Sequence, residues 1–105
     1  MKLDVTRELV NLDDKPILRG EEPLTLRDVL CNALLSTQPN KPVEGKTQVE
    51  RYEMALRINK GDEVDLTLKE AATLQEQVAL FYTPIITGQV WHILEGDDNA
   101  TQPEL

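Results

Sequence analysis

Residues 25–28 (TLRD), 47–50 (TQVE) and 67–70 (TLKE) share the pattern T-x-x-D/E, and each copy precedes an apolar run with helical spacing. The threonine hydroxyl can accept a hydrogen bond from the backbone N–H three residues later, and the acid can accept one from the threonine N–H. Proline at position 84 suits the first position of a further helix. We therefore expect four helices, at about residues 26–36, 48–60, 68–82 and 84–94.

Each predicted helix carries apolar residues at helical spacing, which indicates one face turned toward a common core. The residues expected on these faces are Leu26, Val29, Leu30, Ala33 and Leu34 in the first helix, Val49, Tyr52, Ala55 or Leu56 and Ile58 or Asn59 in the second, Ala71, Leu74, Val78 and Phe81 in the third, and Ile86, Val90, Ile93 and Leu94 in the fourth.

The N-terminal residues have a different period. Residues 2–11 alternate largely between apolar and polar side chains, as a half-buried strand does. Residues 11–15 (NLDDK) are typical of a turn, after which residues 16–18 can return as a second strand. An isolated hairpin is only marginally stable, so this one must pack on the helices. The predicted fold class is α-rich α+β, with an N-terminal β-hairpin packed on about four short helices.

Two further segments have no apolar periodicity. Residues 36–45 (STQPNKPVEG) hold two prolines and form a long loop, a candidate partner-binding segment. Residues 96–105 (GDDNATQPEL) are polar and acidic, and we expect a disordered tail there. A chain of 105 residues is too short to divide usefully into two cores, so residues 1–95 are predicted to form a single domain.

The composition excludes several classes of function. The formal net charge is −8, which disfavours direct contact with the phosphates of nucleic acids. Cys31 is the single cysteine, so no internal disulfide can form. No signal peptide or membrane span is recognisable. These features predict a soluble, intracellular protein.

Few residues offer chemistry. His92 is the single histidine and has no second metal ligand beside it, although a zinc site needs three or more. Cys31 lies mid-helix without a base, so we interpret it as a small buried side chain. The acidic pairs at 13–14, 21–22, 62–63 and 97–98 fall in predicted turns or the tail, where carboxylates are normally hydrated. No catalytic, cofactor-binding or metal-binding residue is predicted, and we do not expect an enzyme.

Residues 81–94 (FYTPIITGQVWHIL) are apolar on more than one side of the predicted helix. Such a segment is either central to the core or shared with a partner, and both interpretations stay open for it. On the second interpretation, the predicted protein-binding residues are Phe81, Tyr82, Ile85 and Trp91.

Four phrases of the sequence carry a resemblance to a known group of proteins: residues 1–6 (MKLDVT), 14–17 (DKPI), 24–30 (LTLRDVL) and 82–89 (YTPIITGQ). They resemble small accessory proteins of tailed phages and prophages, similar to tail-assembly chaperones. The resemblance implies a non-catalytic role in virion assembly in the cytoplasm of a bacterial host, with tape-measure or tail-tube subunits as partners. It implies no site residues, because the group has no chemical motif.

A second hypothesis is a phage-encoded inhibitor that binds a host protein, with its acids imitating nucleic acid. Neither hypothesis requires a cofactor, a membrane or direct contact with nucleic acid. Both are compatible with a homo-oligomer.

Overall fold

A computed structural model describes residues 1–96 of the chain. It has the predicted class, a helix-rich α+β fold in which N-terminal strands pack on four helices. In chain order the elements are β1 (Lys2–Asp4), β2 (Leu18–Arg19), β3 (Glu22–Pro23), α1 (Leu26–Leu35), α2 (Gly45–Asn59), β4 (Glu63–Asp65), α3 (Leu68–Phe81) and α4 (Pro84–Leu94).

Capping boxes begin α1 and α3, as predicted. At α1, Asp28 N–H donates to Thr25 Oγ1 at 3.3 Å, and Thr25 N–H donates to Asp28 Oδ2 at 3.1 Å. At α3 both equivalent hydrogen bonds, between Thr67 and Glu70, are 3.0 Å long. Helix α4 begins at Pro84, which is also as predicted. Three of the four helix starts are therefore marked by local signals in the sequence.

The predicted start of α2 is wrong. The helix begins at Gly45, with Glu44 as its N-cap and no side-chain cap, so Thr47 lies inside the first turn. The N–H of Gln48 donates to the Glu44 carbonyl at 3.0 Å, and its side-chain amide donates to the Val43 carbonyl at 2.8 Å. No proline separates Gly45 from Thr47, so the backbone can continue the helix toward the N-terminus and leave the threonine without a capping role.

The first strand has a partner different from the one predicted. β1 pairs antiparallel with β4, and Leu3 lies opposite Val64. Residues 11–15 do form the expected turn, closed by a bridge between Val10 and Pro16. The strand that follows, β2, pairs with β3 instead of β1. Alternation predicts a strand, but it carries no information about a partner this far along the chain.

The core collects the apolar faces of all the helices and of β1 and β4. Helix α1 packs against α2 and α3, and α3 packs against α4. The larger side chains that are fully or almost fully buried are Val5, Leu9, Leu26, Val29, Leu30, Ile58, Leu74, Val78 and Val90.

The Gln89 side chain joins α4 to the N-terminal segment. Its Oε1 accepts a hydrogen bond from Val10 N–H at 3.0 Å, and its Nε2 donates to the Val10 carbonyl at 2.7 Å. The amide therefore pairs with a backbone residue much as a neighbouring strand would.

At the C-terminal end, α4 is followed by Gly96 at a φ of +87°, a backbone conformation that favours glycine. The rest of the predicted tail, residues 97–105, lies outside the described residues. Across residues 1–96, no helix has the length and apolar character needed to cross a membrane.

Candidate protein-binding surfaces

The four predicted protein-binding residues lie at separate places around α3 and α4. Phe81 is the last residue of α3 and Tyr82 follows it, both half-buried. Ile85 lies in the first turn of α4 and is also half-buried, whereas Trp91 lies further along that helix and is 39% exposed. Their surroundings show which of them share a surface.

Tyr82 contacts the core and α1. Its ring packs against the buried cluster, and its hydroxyl accepts a hydrogen bond from Asn32 Nδ2 at 2.8 Å. It also lines a pocket of about 440 Å³ together with Arg19 and Arg27. Tyr82 therefore joins α1 to the end of α3, and only part of its surface is open to a partner.

Phe81 lies in a different pocket, of about 190 Å³, between the end of α3 and residues 36–43. Phe81 and the loop were two separate candidate interaction features of the sequence. The structure brings them together in one pocket.

Ile85 and Trp91 do not share one face of α4. Six residues at about 100° each place them about 120° apart around the helix and about 9 Å apart along it. Val90, Ile93 and Leu94 are buried, as expected for the core-facing side of α4. The joint role of the four residues in protein binding stays a prediction.

A second apolar surface, not predicted from the sequence as a binding site, lies between α1 and α2. We call it the α1–α2 groove, a pocket of about 240 Å³. Tyr52 and Leu35 are 55% and 59% exposed, and Leu56 is exposed beside them. The complete lining is Cys31, Leu35, Tyr52, Ala55, Leu56 and Asn59. Clustered exposed residues of this size mark contact surfaces more often than single ones do.

One side of this groove is an apolar stripe of α2 that the sequence predicts to be buried. Val49 and Tyr52 are predicted in the core, with either Ala55 or Leu56, yet Val49, Tyr52 and Leu56 are all exposed and Ala55 is the buried member of its pair. The buried face of α2 consists of Met54, Ala55 and Ile58. Helix α2 thus has two apolar faces, and only one of them contacts the rest of the domain.

Cys31 lies at the floor of the α1–α2 groove and is half-buried. Its Sγ donates a hydrogen bond to the Ala55 carbonyl at 3.6 Å. Burial raises the pKa of the Cys31 thiol above its ordinary value of 9.0, because the thiolate would lose hydration. The group is therefore a packed neutral thiol at neutral pH, and it is not activated as a nucleophile.

The other candidate groups lie at the surface. His92 is exposed, and its Nδ1 lies 3.6 Å from Glu95 Oε1. The acidic pairs at 13–14, 21–22 and 62–63 are exposed, as expected, but Glu22 lies in β3 and Glu63 in β4 and not in turns. The pair at 97–98 lies outside the described residues. Within residues 1–96, no three side chains of the metal-binding types are grouped closely enough to hold an ion.

Comparison with known proteins finds no relative: the sequence matches no protein-family model, no curated protein and no solved structure.

Proposed function

We propose that this protein is a non-catalytic accessory factor of phage virion assembly that binds a tail structural protein through the α1–α2 groove. The observation that carries the proposal is the grouping of three exposed large apolar side chains, Leu35, Tyr52 and Leu56, around one groove. Full burial of a large apolar side chain is worth about 1.5–3 kcal/mol, so covering these three would contribute substantially to binding. The resemblance to tail-assembly chaperones supports the phage context.

The occupant that fits this surface is an amphipathic helix. Val49, Tyr52 and Leu56 recur at i, i+3 and i+7 along α2, a stripe about 10 Å long. A partner helix with apolar residues at the same spacing can lay its own stripe along this one. The tape-measure or tail-tube subunits implied by the resemblance would then contribute such a helix.

An exposed charge beside the apolar stripe of α2 indicates which residues should flank the apolar stripe of the partner helix. Glu53 is exposed and lies four residues after Val49 and three before Leu56, so it is adjacent to both on the helix surface. Together with the net charge of −8, this favours a partner helix with Lys or Arg beside its apolar stripe.

The test is co-purification with tape-measure or tail-tube proteins co-expressed with this chain. Tyr52→Ser/Leu56→Ser should remain folded and weaken binding at least about tenfold, as expected when central apolar contacts are lost. A control, Leu12→Ser/Leu68→Ser, likewise replaces two exposed apolar side chains by serine, at leucines outside the groove, and it should bind like the unaltered protein. Equal binding by the two double variants would eliminate the groove as the contact surface.

The alternative is an inhibitor of a host protein that presents acids in place of nucleic acid. Its support is that every acidic residue in 1–96 other than the half-buried Asp28 and Glu70 is exposed. This alternative requires binding that weakens steeply as salt is raised, whereas contact through the apolar groove, with only flanking charges involved, weakens much less. Measuring the affinity for the captured partner over a range of ionic strengths separates the two.

A further inference from the structure

The pocket beside Phe81 has a lining that is unusual for so acidic a protein. It contains two cations, Lys41 from the 36–45 loop and Arg51 from α2, and no acidic residue contributes to it within the described chain. We propose that this pocket binds the carboxylate of a ligand with a small apolar body. The site is separate from the α1–α2 groove and goes beyond the function proposed for that groove.

Arg51 is the principal anion-binding group. Its Nε is buried and has no hydrogen-bond partner, and none of the ion pairs found within residues 1–96 involves its guanidinium. A buried guanidinium donor without a partner is costly, because its hydration is lost and not replaced. The two Nη groups of Arg51, unlike its Nε, are not fully buried, so a carboxylate in the pocket can contact them and supply the opposite charge in the planar arrangement that arginine matches well.

Gln77 on α3 offers a neutral donor to the same pocket. It is the one polar residue in the buried class among residues 1–96, 6% exposed, and its amide makes no hydrogen bond to any other described residue. Neither polar atom of this amide is fully buried, so the amide is open to the pocket and can donate to a ligand with oxygen acceptors. Lys41, at the exposed loop, adds a second positive charge.

The apolar part of the lining specifies the rest of the ligand. Val43, Leu80 and Phe81 supply it, which favours a molecule with an aliphatic body next to its charge. A monoanion is preferred over a phosphate dianion, because the chain already carries a net charge of −8. The volume of about 190 Å³ lies below the range of about 300–1,000 Å³ for drug-sized ligands. An acylated amino acid, or the last residue of a peptide with its free carboxylate, has the right chemistry.

Calorimetric titration of the full chain with N-acetyl-leucine tests the assignment. N-acetyl-leucinamide is the matched control, since it differs only by the absent charge, and it should bind at least tenfold more weakly. Comparable binding of acid and amide, or no binding of the acid, would refute the proposal. Tighter binding of inorganic phosphate than of N-acetyl-leucine would refute the choice of a carboxylate.

Variants locate the site. Arg51→Gln and Lys41→Gln should each weaken N-acetyl-leucine binding, Arg51→Gln at least tenfold. The control Lys60→Gln removes one exposed cation at the C-cap of α2, outside the pocket, and should leave binding unchanged. Lys41 is exposed, so its variant remains informative if Arg51→Gln does not fold. Unaltered affinity in both Arg51→Gln and Lys41→Gln would place the ligand elsewhere.

Two further titrations keep this site distinct from the groove and identify the source of the carboxylate. Tyr52→Ser/Leu56→Ser should retain N-acetyl-leucine binding whether or not it binds a tail protein, and loss of that binding in the folded variant would contradict a separate pocket. A short peptide ending in leucine with a free carboxylate identifies a protein C-terminus as the source if it binds at least tenfold more tightly than N-acetyl-leucine. Equal affinities identify a free small acid.

Discussion

Helices α2 and α3 are nearly equal in length, 15 and 14 residues, and each contains a T-x-x-E pattern, but they use it differently. In α3 the pattern lies at the start, forms a capping box and precedes a face that is buried. In α2 it lies inside the first turn, and the apolar stripe that follows it at Val49, Tyr52 and Leu56 is exposed. A capping pattern therefore predicts a helix start only where the preceding backbone cannot itself be helical.

The two helices also differ in how many apolar faces they have. In α3 the buried residues Ala71, Leu74 and Val78 follow one stripe. In α2 a second set of apolar residues, Met54, Ala55 and Ile58, is buried. Periodicity identifies both stripes of α2 but not which of them faces the core, and the unused stripe becomes a surface for binding.

The largest expected effect is a difference in stability between the alanine variants of two leucines, one in α3 and one in α2. Leu74→Ala removes a fully buried side chain of α3 and should lower the free energy of unfolding by about 2–5 kcal/mol. Leu56→Ala removes an exposed side chain of α2 and should change it by no more than about 0.5 kcal/mol. Urea unfolding of both variants at low protein concentration measures the difference. Similar losses would mean that the α2 stripe is buried in solution, as it would be in an oligomer.

A smaller effect distinguishes the two threonines. Thr67→Ala removes a capping hydrogen bond and should cost about 1 kcal/mol of stability, because the N–H of Glu70 would lose its acceptor. Thr47→Ala should change stability by less than about 0.5 kcal/mol, because Thr47 is not the N-cap of α2. Thermal unfolding of the two variants measures both values. A loss of stability in Thr47→Ala as large as in Thr67→Ala would show that Thr47 does cap α2.

The smallest effect concerns the ion pair that joins the two helices. Arg57 Nη1 on α2 lies 2.6 Å from Glu70 Oε2 on α3, and this hydrogen bond holds the pKa of Glu70 below its ordinary value of 4.5. The resulting stabilisation is complete above pH 4.5 and is lost as the pH falls toward the lower pKa of the folded state. Glu70→Gln should therefore cost between about 0.2 and 1 kcal/mol at neutral pH and progressively less in acid.

Glu70→Gln keeps an oxygen for the N–H of Thr67 but puts an amide nitrogen where Oε2 accepts from Arg57, so the variant removes the ion pair together with its hydrogen bond and leaves the cap in place. Glu76→Gln is the control, an exposed acid of the same helix that takes part in none of the ion pairs within residues 1–96. Unfolding by urea at several pH values measures both variants. A cost for Glu70→Gln that does not diminish in acid would show that the pair with Arg57 is not its source.

Most of the fold could be predicted because its signals are local. Capping boxes at Thr25 and Thr67, proline at 84 and the stripe of α1 all act within a few residues. The partner of β1 could not be predicted, because nothing in residues 2–4 specifies residues 63–65. The exposed face of α2 was missed for a similar reason, since the burial of a stripe depends on packing against other elements.

The candidate binding sites were predictable only in parts. Phe81 and the 36–45 loop were each identified from composition, but their meeting around Arg51 and Gln77 depends on how α2 and α3 pack. Neither residue stands out in the sequence. Arg51 is one of several dispersed arginines, and Gln77 is a polar residue inside a helix, so their lack of partners is visible only in three dimensions.

The pairing of β1 with β4 has a consequence for biosynthesis. Within this domain, translation delivers Lys2–Asp4 before the other elements, yet these residues can pair with Glu63–Asp65 only after α1 and α2 have been made. The hydrogen bonds between Val10 and Gln89 can form only later, after the last helix has been made. A nascent chain that ends within α2 leaves Leu3 and Val5 uncovered at the ribosome, so folding of this domain is completed after synthesis of α4, not progressively from its beginning.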